Sequence, residues 1–172
     1  MTEPVFDTLE FRHVCSQFPT GVTAVTAITL DGSVAALTVN SFTSVSLEPA
    51  QVLFCLATSS SSYSILMACD RIAIHILRQD QEDVARRFAT SGLSGEDKLA
   101  GLAWTPGPGG VPLLPDSAAV LAGRPGQVIT SGDHVIVMVE VDHIEHKPSH
   151  QPALAFYRGR FTLPAIGVGA SD

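Results

Sequence analysis

The sequence contains no apolar run near the roughly 18 residues that a membrane-crossing helix needs, although 45% of its 172 residues are hydrophobic. A soluble chain without helical membrane spans is expected. The opening stretch MTEPVFDTLEFRHV carries acidic residues early and has no apolar h-region, so no secretory signal is read and cytoplasmic location is expected. Positive charge is also scarce. Ten Lys and Arg against seventeen Asp and Glu leave a net charge of −7, and the ten are scattered, which disfavours nucleic acid and anionic membrane surfaces as partners. The three cysteines, Cys15, Cys55 and Cys69, form no C-x-x-C pair and read as ordinary thiols among apolar neighbours. Likewise, His13, His75, His143, His146 and His150 show no ligand spacing joined to carboxylates, so no metal site is expected.

The chain is instead rich in β-formers. A length of 172 residues fits one domain over 1–172, with its core at about 8–163 and a frayed tail at 164–172. Leu9, Phe11, Val14, Cys15 and Phe18 recur at near-helical spacing before Pro19, which predicts a short amphipathic helix. Two β-branched runs, at 21–30 and 33–40, flank the hairpin signal LDGS. QVLFCLAT and RIAIHIL read as further strands, with a serine loop and a short helix between them that turns Ile65, Leu66 and Ala68 inward. DQEDVARRFAT predicts a helix whose acidic first turn suits the helix dipole, and Gly92 and Gly95 open a loop after it. GLAWTPGPGGVPLLP is too rich in Gly and Pro for regular structure, and three more strands follow it: GQVITSG, HVIVMVEVDHIEH and PALAFYRGRFTLP. Closely spaced strands with few helices point to a mainly β fold, a closed or partly closed antiparallel barrel.

Four stretches could carry chemistry. Thr38, Asn40, Ser41, Thr43, Ser44 and Ser46 alternate with apolar residues, where a strand running into an irregular turn would show amides and hydroxyls to a planar heterocycle or a phosphate. The same pattern also describes a solvated strand face. TSSSSYS at 58–64 precedes a helix and fits either an anion site or a capped loop, with Arg86 and Arg87 available as cations. GDH at 132–134 puts His134 at the entrance of the most apolar strand, and FYRGRF at 156–161 interleaves rings with guanidinium groups.

Taken together, FPTGVTAVTA, LTVNSFTSVSLEPAQVLFCLATSSSSY, RIAIHILRQDQEDVARRFA, GDHVIVMVEV and PALAFYRGRF resemble, in order and spacing, the flavin reductase-like family with the FMN-binding split-barrel fold. The similarity covers about residues 8–163, and is greatest to the short-chain NAD(P)H:flavin oxidoreductases that act as reductase components of two-component flavin-dependent monooxygenases. It implies a six-stranded antiparallel split β-barrel with flanking helices, working as a homodimer. The implied activity is hydride transfer from NADH or NADPH to FMN or FAD, with reduced flavin passing to a separate monooxygenase.

By the same resemblance Thr38, Val39, Asn40 and Ser41 contact the pyrimidine edge of the isoalloxazine, with Ser44 and Ser46 near the ring or ribityl chain. Ser59, Ser61 and Ser62 hold the phosphate with Arg87, Arg86 being the runner-up. His134 positions the nicotinamide, and Tyr157, Arg158, Gly159 and Arg160 close over flavin and dinucleotide. Two departures stand out. Arg124-Pro125-Gly126 interrupts a strand that is unbroken in many relatives, and the serine loop lacks the Lys or Arg found in several of them, which implies a loosely held flavin. No dinucleotide fingerprint distinguishes NADH from NADPH. An enzyme with tightly bound flavin acting on another small molecule remains an alternative, as does a non-catalytic flavin- or haem-binding module.

Overall fold

The structure, a computed structural model, describes residues 6–146 and 151–164. The tail from 165 onward and His150 lie outside them. After helix α1 (Thr8–Cys15) come β1 (Thr20–Gly21), β2 (Thr23–Ile28), β3 (Val34–Val39), β4 (Thr43–Leu47) and β5 (Ala50–Ala57). Helix α2 (Tyr63–Ala68), β6 (Arg71–Ile76), α3 (Glu82–Ala89) and α4 (Gly95–Leu99) follow. The small pair β7 (Thr105–Pro106) and β8 (Pro112–Leu113) leads to the long strands β9 (Ala119–Ser131) and β10 (His134–His146), then to β11 (Ala155–Tyr157) and β12 (Arg160–Thr162).

The main sheet is antiparallel and has seven strands in the order β3-β2-β6-β9-β10-β5-β4. The mainly β fold with flanking helices is as expected, but the six-stranded split barrel, and the closed form of the barrel that the strand spacing left open, are corrected on two counts. Residues 43–47, read as an irregular turn, form an additional edge strand on β5. Among the described residues no ladder joins the two ends of the order.

The sheet curls around one apolar cluster containing Val25, Phe54, Ile72, Ile74, Val135 and Val137. A second cluster lies on its outer face, where Ala24, Ala36 and Leu77 meet Phe88 of α3 and Leu99 of α4. Strand β2 runs between the two. This explains why TAVTA is buried throughout instead of alternating with polar residues. Each large side chain fully removed from water here contributes roughly 1.5–3 kcal/mol.

The LDGS hairpin forms as predicted, with Gly32 at φ 88° in its turn. Strand β9, by contrast, runs unbroken through Arg124-Pro125-Gly126. There the register to β10 slips: Val128 faces Val137 and Pro125 faces Val139, so β9 carries an additional residue in a bulge. Pairing of β9 to β6 has already ended at Gly123, so a residue without an N–H is tolerated.

The C-terminal segment is a hairpin rather than one strand, because Arg158 (φ 48°) and Gly159 (φ 75°) make a two-residue turn between β11 and β12. This hairpin pairs with β1 in a separate three-stranded sheet. Other expectations shift locally. Ser94 and Asp97 form a capping box that starts α4 where a loop was read, and on α2 Leu66 is buried while Ala68 is exposed. Helix α1 forms, but none of its residues is buried.

Candidate functional site

A cleft of about 700 Å³ opens between the end of β3, the serine loop after β5 and the loop after α3. That volume suits a small-molecule ligand. Three local devices build it. The hydroxyl of Thr38 donates to the Ala85 carbonyl at 2.6 Å and ties β3 to α3. Ser41 accepts from the Cys55 N–H at 2.8 Å and donates to the Cys55 carbonyl at 3.4 Å, bridging the chain after β3 to β5 where no ladder exists. The Asp133 carbonyl accepts from the N–H of Thr58 at 3.0 Å and from its hydroxyl at 3.1 Å, which fixes the GDH turn to the start of the serine loop.

The structure brings Thr38, Val39, Asn40, Ser41, Ser59 and Ser61 to the lining of this cleft, together with His134. His134 Nδ1–H donates to the Asp133 carboxylate at 2.7 Å, which leaves Nε2 as the other face of the ring. The same contact holds the Asp133 carboxyl below its ordinary range.

Other candidates lie elsewhere. Ser62 is buried beneath the loop and reaches the Ala36 carbonyl at 3.4 Å. Ser44 and Ser46 lie on edge strand β4, away from the lining. The guanidinium of Arg87 donates to the carbonyls of Asp97, at 2.7 Å, and Ala100. Arg86 pairs with Glu82 and lies over the Phe161 ring. Tyr157, Arg158, Gly159 and Arg160 are outside the lining, on the C-terminal hairpin. Arg158 bonds back to α1's end, its N–H to the Ser16 carbonyl at 3.0 Å and its Nε to Gln17 at 2.8 Å.

A second hollow of about 730 Å³ lies beside the first and shares Asn40 and Ser41 with it. Phe18, Phe42 and Ile76 give it apolar walls, and Thr20 and Gly21 carry its rim to β11 of the C-terminal hairpin.

Sequence reasoning missed the lysine of the first cleft. Lys98 is 3% exposed and its ammonium donates to the Ala36 carbonyl at 3.0 Å. Burial alone pushes this amine below its ordinary range. The available signal was Ser94-x-x-Asp97, a helix start that would have turned the residues after it from loop to packed element. Thr90, Ser91 and Gly92 also line the cleft, and among the described residues no Asp or Glu does.

In a chain of net charge −7, a cleft with a buried ammonium, several hydroxyls and an amide, lined by no carboxylate among the described residues, has the chemistry to suit an anionic small molecule. Residues 15–163 match the flavin reductase like domain, and the chain belongs to that family. It is 39% identical to a probable flavin reductase of Rhizobium meliloti (strain 1021) over 96% of this chain, and spans only 52% of that relative's length. Identity to the flavin-dependent monooxygenase reductase subunit HsaB of Mycobacterium tuberculosis (strain ATCC 25618 / H37Rv) is 36%, over 91% of this chain and 82% of that protein. The NADH:FAD oxidoreductase SgcE6 of Streptomyces globisporus C-1027, solved in complex with NAD and FAD fragments, superposes with a TM-score of 0.87 at 33% identity. That match covers 98% of this chain and 100% of SgcE6.

Proposed function

We propose that this chain, acting as one domain, is an NAD(P)H:flavin oxidoreductase that reduces FMN or FAD and releases the product to a separate flavin-dependent monooxygenase. The observation that carries this reading is the cleft, which no described carboxylate lines and whose hydroxyls, amide and lysine suit the two ends of a flavin. The hydroxyls of Ser59 and Ser61 and the Lys98 ammonium suit a phosphate. The amide of Asn40 and the backbone around Ser41 suit the hydrogen-bonding edge of the ring system.

Hydride transfer is the chemistry that flavin and nicotinamide supply between them when both are bound. The chain's own task is placement. Asn40 and Ser41 line both hollows, so residues holding a ring there would leave the side of Phe18 and Phe42 to a second planar ligand. His134, oriented by Asp133, lines the first cleft and is the residue proposed to position the nicotinamide where that ring would meet the flavin. Arg158 and Arg160 are both exposed on the hairpin beyond β1 and are the cations proposed for the dinucleotide there.

The test mixes the purified protein with NADH or NADPH and FMN or FAD and follows nucleotide oxidation. Turnover well above the free-flavin background is expected with at least one pairing; background rates with all four would sink the reading. In an active pairing, His134→Ala is expected to raise KM for the nucleotide about tenfold with flavin affinity unchanged.

The partner surfaces belong to the same reading. Leu9, Val14 and Phe18 of the N-terminal segment are 74%, 62% and 75% exposed, an apolar face suited to a second copy in a homodimer. Light scattering is expected to give about twice the 18.1 kDa chain mass, and Leu9→Asp with Val14→Asp to halve it. The free thiols Cys15, Cys55 and Cys69 agree with a reducing, cytoplasmic setting. Among the described residues, no helix is long and apolar enough to cross a membrane.

A further inference from the structure

The polar end of the cleft holds a charge without a counter-charge. The Lys98 ammonium is buried, its one hydrogen bond goes to a neutral carbonyl, and no carboxylate pairs with it among the described residues. A buried ammonium held by a single neutral acceptor is costly unless an anion completes its shell. The Ala36 carbonyl that accepts from Lys98 also accepts from Ser62, so the shared acceptor puts the ammonium at the foot of the serine loop. Two of its three donors remain for a ligand there.

Arg87 has a different place. Its Nη2 donates to the carbonyls of Asp97 and Ala100, the residues that bracket Lys98 and its neighbour Leu99. At the other end of α4, Gly95 lies directly on β3: a Cβ there would come within 2.1 Å of the Val34 carbonyl oxygen. Helix α4 is therefore pinned at both ends, and the residue it presents to the cleft is Lys98.

Resting on the flavin reductase reading, we infer that Lys98 receives the phosphate of the bound flavin and that Arg87, the cation the resemblance assigns to that phosphate, instead positions Lys98 by clamping α4. The serine loop has no cation of its own, so the counter-charge comes from a helix some forty residues further along the chain.

Riboflavin, which lacks the phosphate, supplies the internal control. Flavin affinities are measured by fluorescence titration for the wild type, K98M, R87M and the double variant. K98M is expected to weaken FMN on the order of 30-fold while riboflavin stays within about twofold, so the preference for FMN collapses. R87M is expected to weaken FMN by a smaller factor, about fivefold, and the double variant to be no worse than K98M alone, as required of a residue acting through another.

Equal loss of FMN and riboflavin in K98M overturns the assignment, because the lysine is then only structural. Additive losses in the double variant overturn the positioning role of Arg87. A raised KM for the nucleotide with the FMN preference intact moves the anion to the dinucleotide and also overturns it. If K98M does not fold, K98R and K98Q are compared: K98R is expected to keep the preference for FMN over riboflavin and K98Q to lose it, and an equal preference in the two overturns the proposal. A wild type that binds neither flavin sinks the flavin reading itself, an outcome distinct from all of these.

Discussion

Alanine at Gly123 is expected to lower the midpoint of thermal unfolding by roughly 10 °C, whereas alanine at Gly126, on the same strand, is expected to leave it within about 2 °C. Gly123 is buried between β6 and β10, paired to Ile72 on one side and Val141 on the other. A Cβ there would lie 1.9 Å from the Glu140 carbonyl oxygen and 2.7 Å from its carbon. Both are backbone atoms in the middle of the longest ladder, so neither can swing aside as a side chain would. The register to β10 slips next to this point, between Val141 and His143.

Relieving the clash means parting the two strands, at a cost of about 4 kcal/mol, the size seen when backbone has to move. At roughly 2–4 °C per kcal/mol for a chain of this length, the expected loss follows. Gly126 is the control, since its added Cβ would meet the Met138 carbonyl oxygen at an ordinary 3.4 Å. Calorimetry on the two variants checks this, and equal midpoints would show that the β9–β10 contact is looser than the structure has it. Because β10 begins at His134, opened strands at Gly123 would also weaken the support of the GDH turn.

The elements readable from the sequence were those whose cause is local. LDGS supplies positive φ where the β2–β3 turn needs it, and EDVARRFA carries its acidic and basic residues at the ends that the helix dipole favours. What escaped depends on partners distant in sequence. Pro125 looks like a strand breaker until it is known that β6 stops pairing at Gly123 and leaves one edge of β9 free. Residues 43–47 have no burial pattern to mark them as a strand, since every one is at least partly exposed, and they are held only by β5. The helical spacing of Leu9, Val14 and Phe18 is real, but the side chains face outward rather than into the core.

The site divides in the same way. The hydroxyl-rich run at 38–41, the serine loop and His134 converge because β3, β5 and β10 bring their ends together, and each stretch carried its own signal. Arg87 could be proposed as the phosphate cation because it follows the serine loop at a helix end. Only the fold shows that its guanidinium is committed to the carbonyls of α4 and that Lys98, within a five-residue helix masked by flanking glycines, occupies the cleft.

Acid is expected to destabilise this protein through His75 before it affects the cleft. His75 is fully buried on β6, its Nδ1–H donating to the Ala24 carbonyl at 3.0 Å while Nε2 has no partner. Burial pushes its pKa down from 6.5 to about 4, and the weaker opposing pulls of the Ala24 carbonyl and Glu145 do not offset this. A protonated ring would have to place its second N–H against an apolar surround. The unfolded chain therefore takes up the proton first as pH falls. The contribution of a neutral His75 is complete above about pH 6.5, erodes between pH 6.5 and 4, and is spent below that, a total of about 3 kcal/mol at 1.36 kcal/mol per pH unit. Urea unfolding of the wild type and His75→Leu at pH 7, 5.5 and 4 isolates it, because carboxylate titrations common to both proteins cancel in the difference. The wild type is expected to lose about 3 kcal/mol more than the variant over this range, and parallel losses would mean that His75 is hydrated and titrates normally. Flavin affinity at the proposed site of Lys98 and the serine loop is expected to hold through the upper part of the range for as long as the protein stays folded, so the two effects separate when binding and unfolding are measured at the same pH.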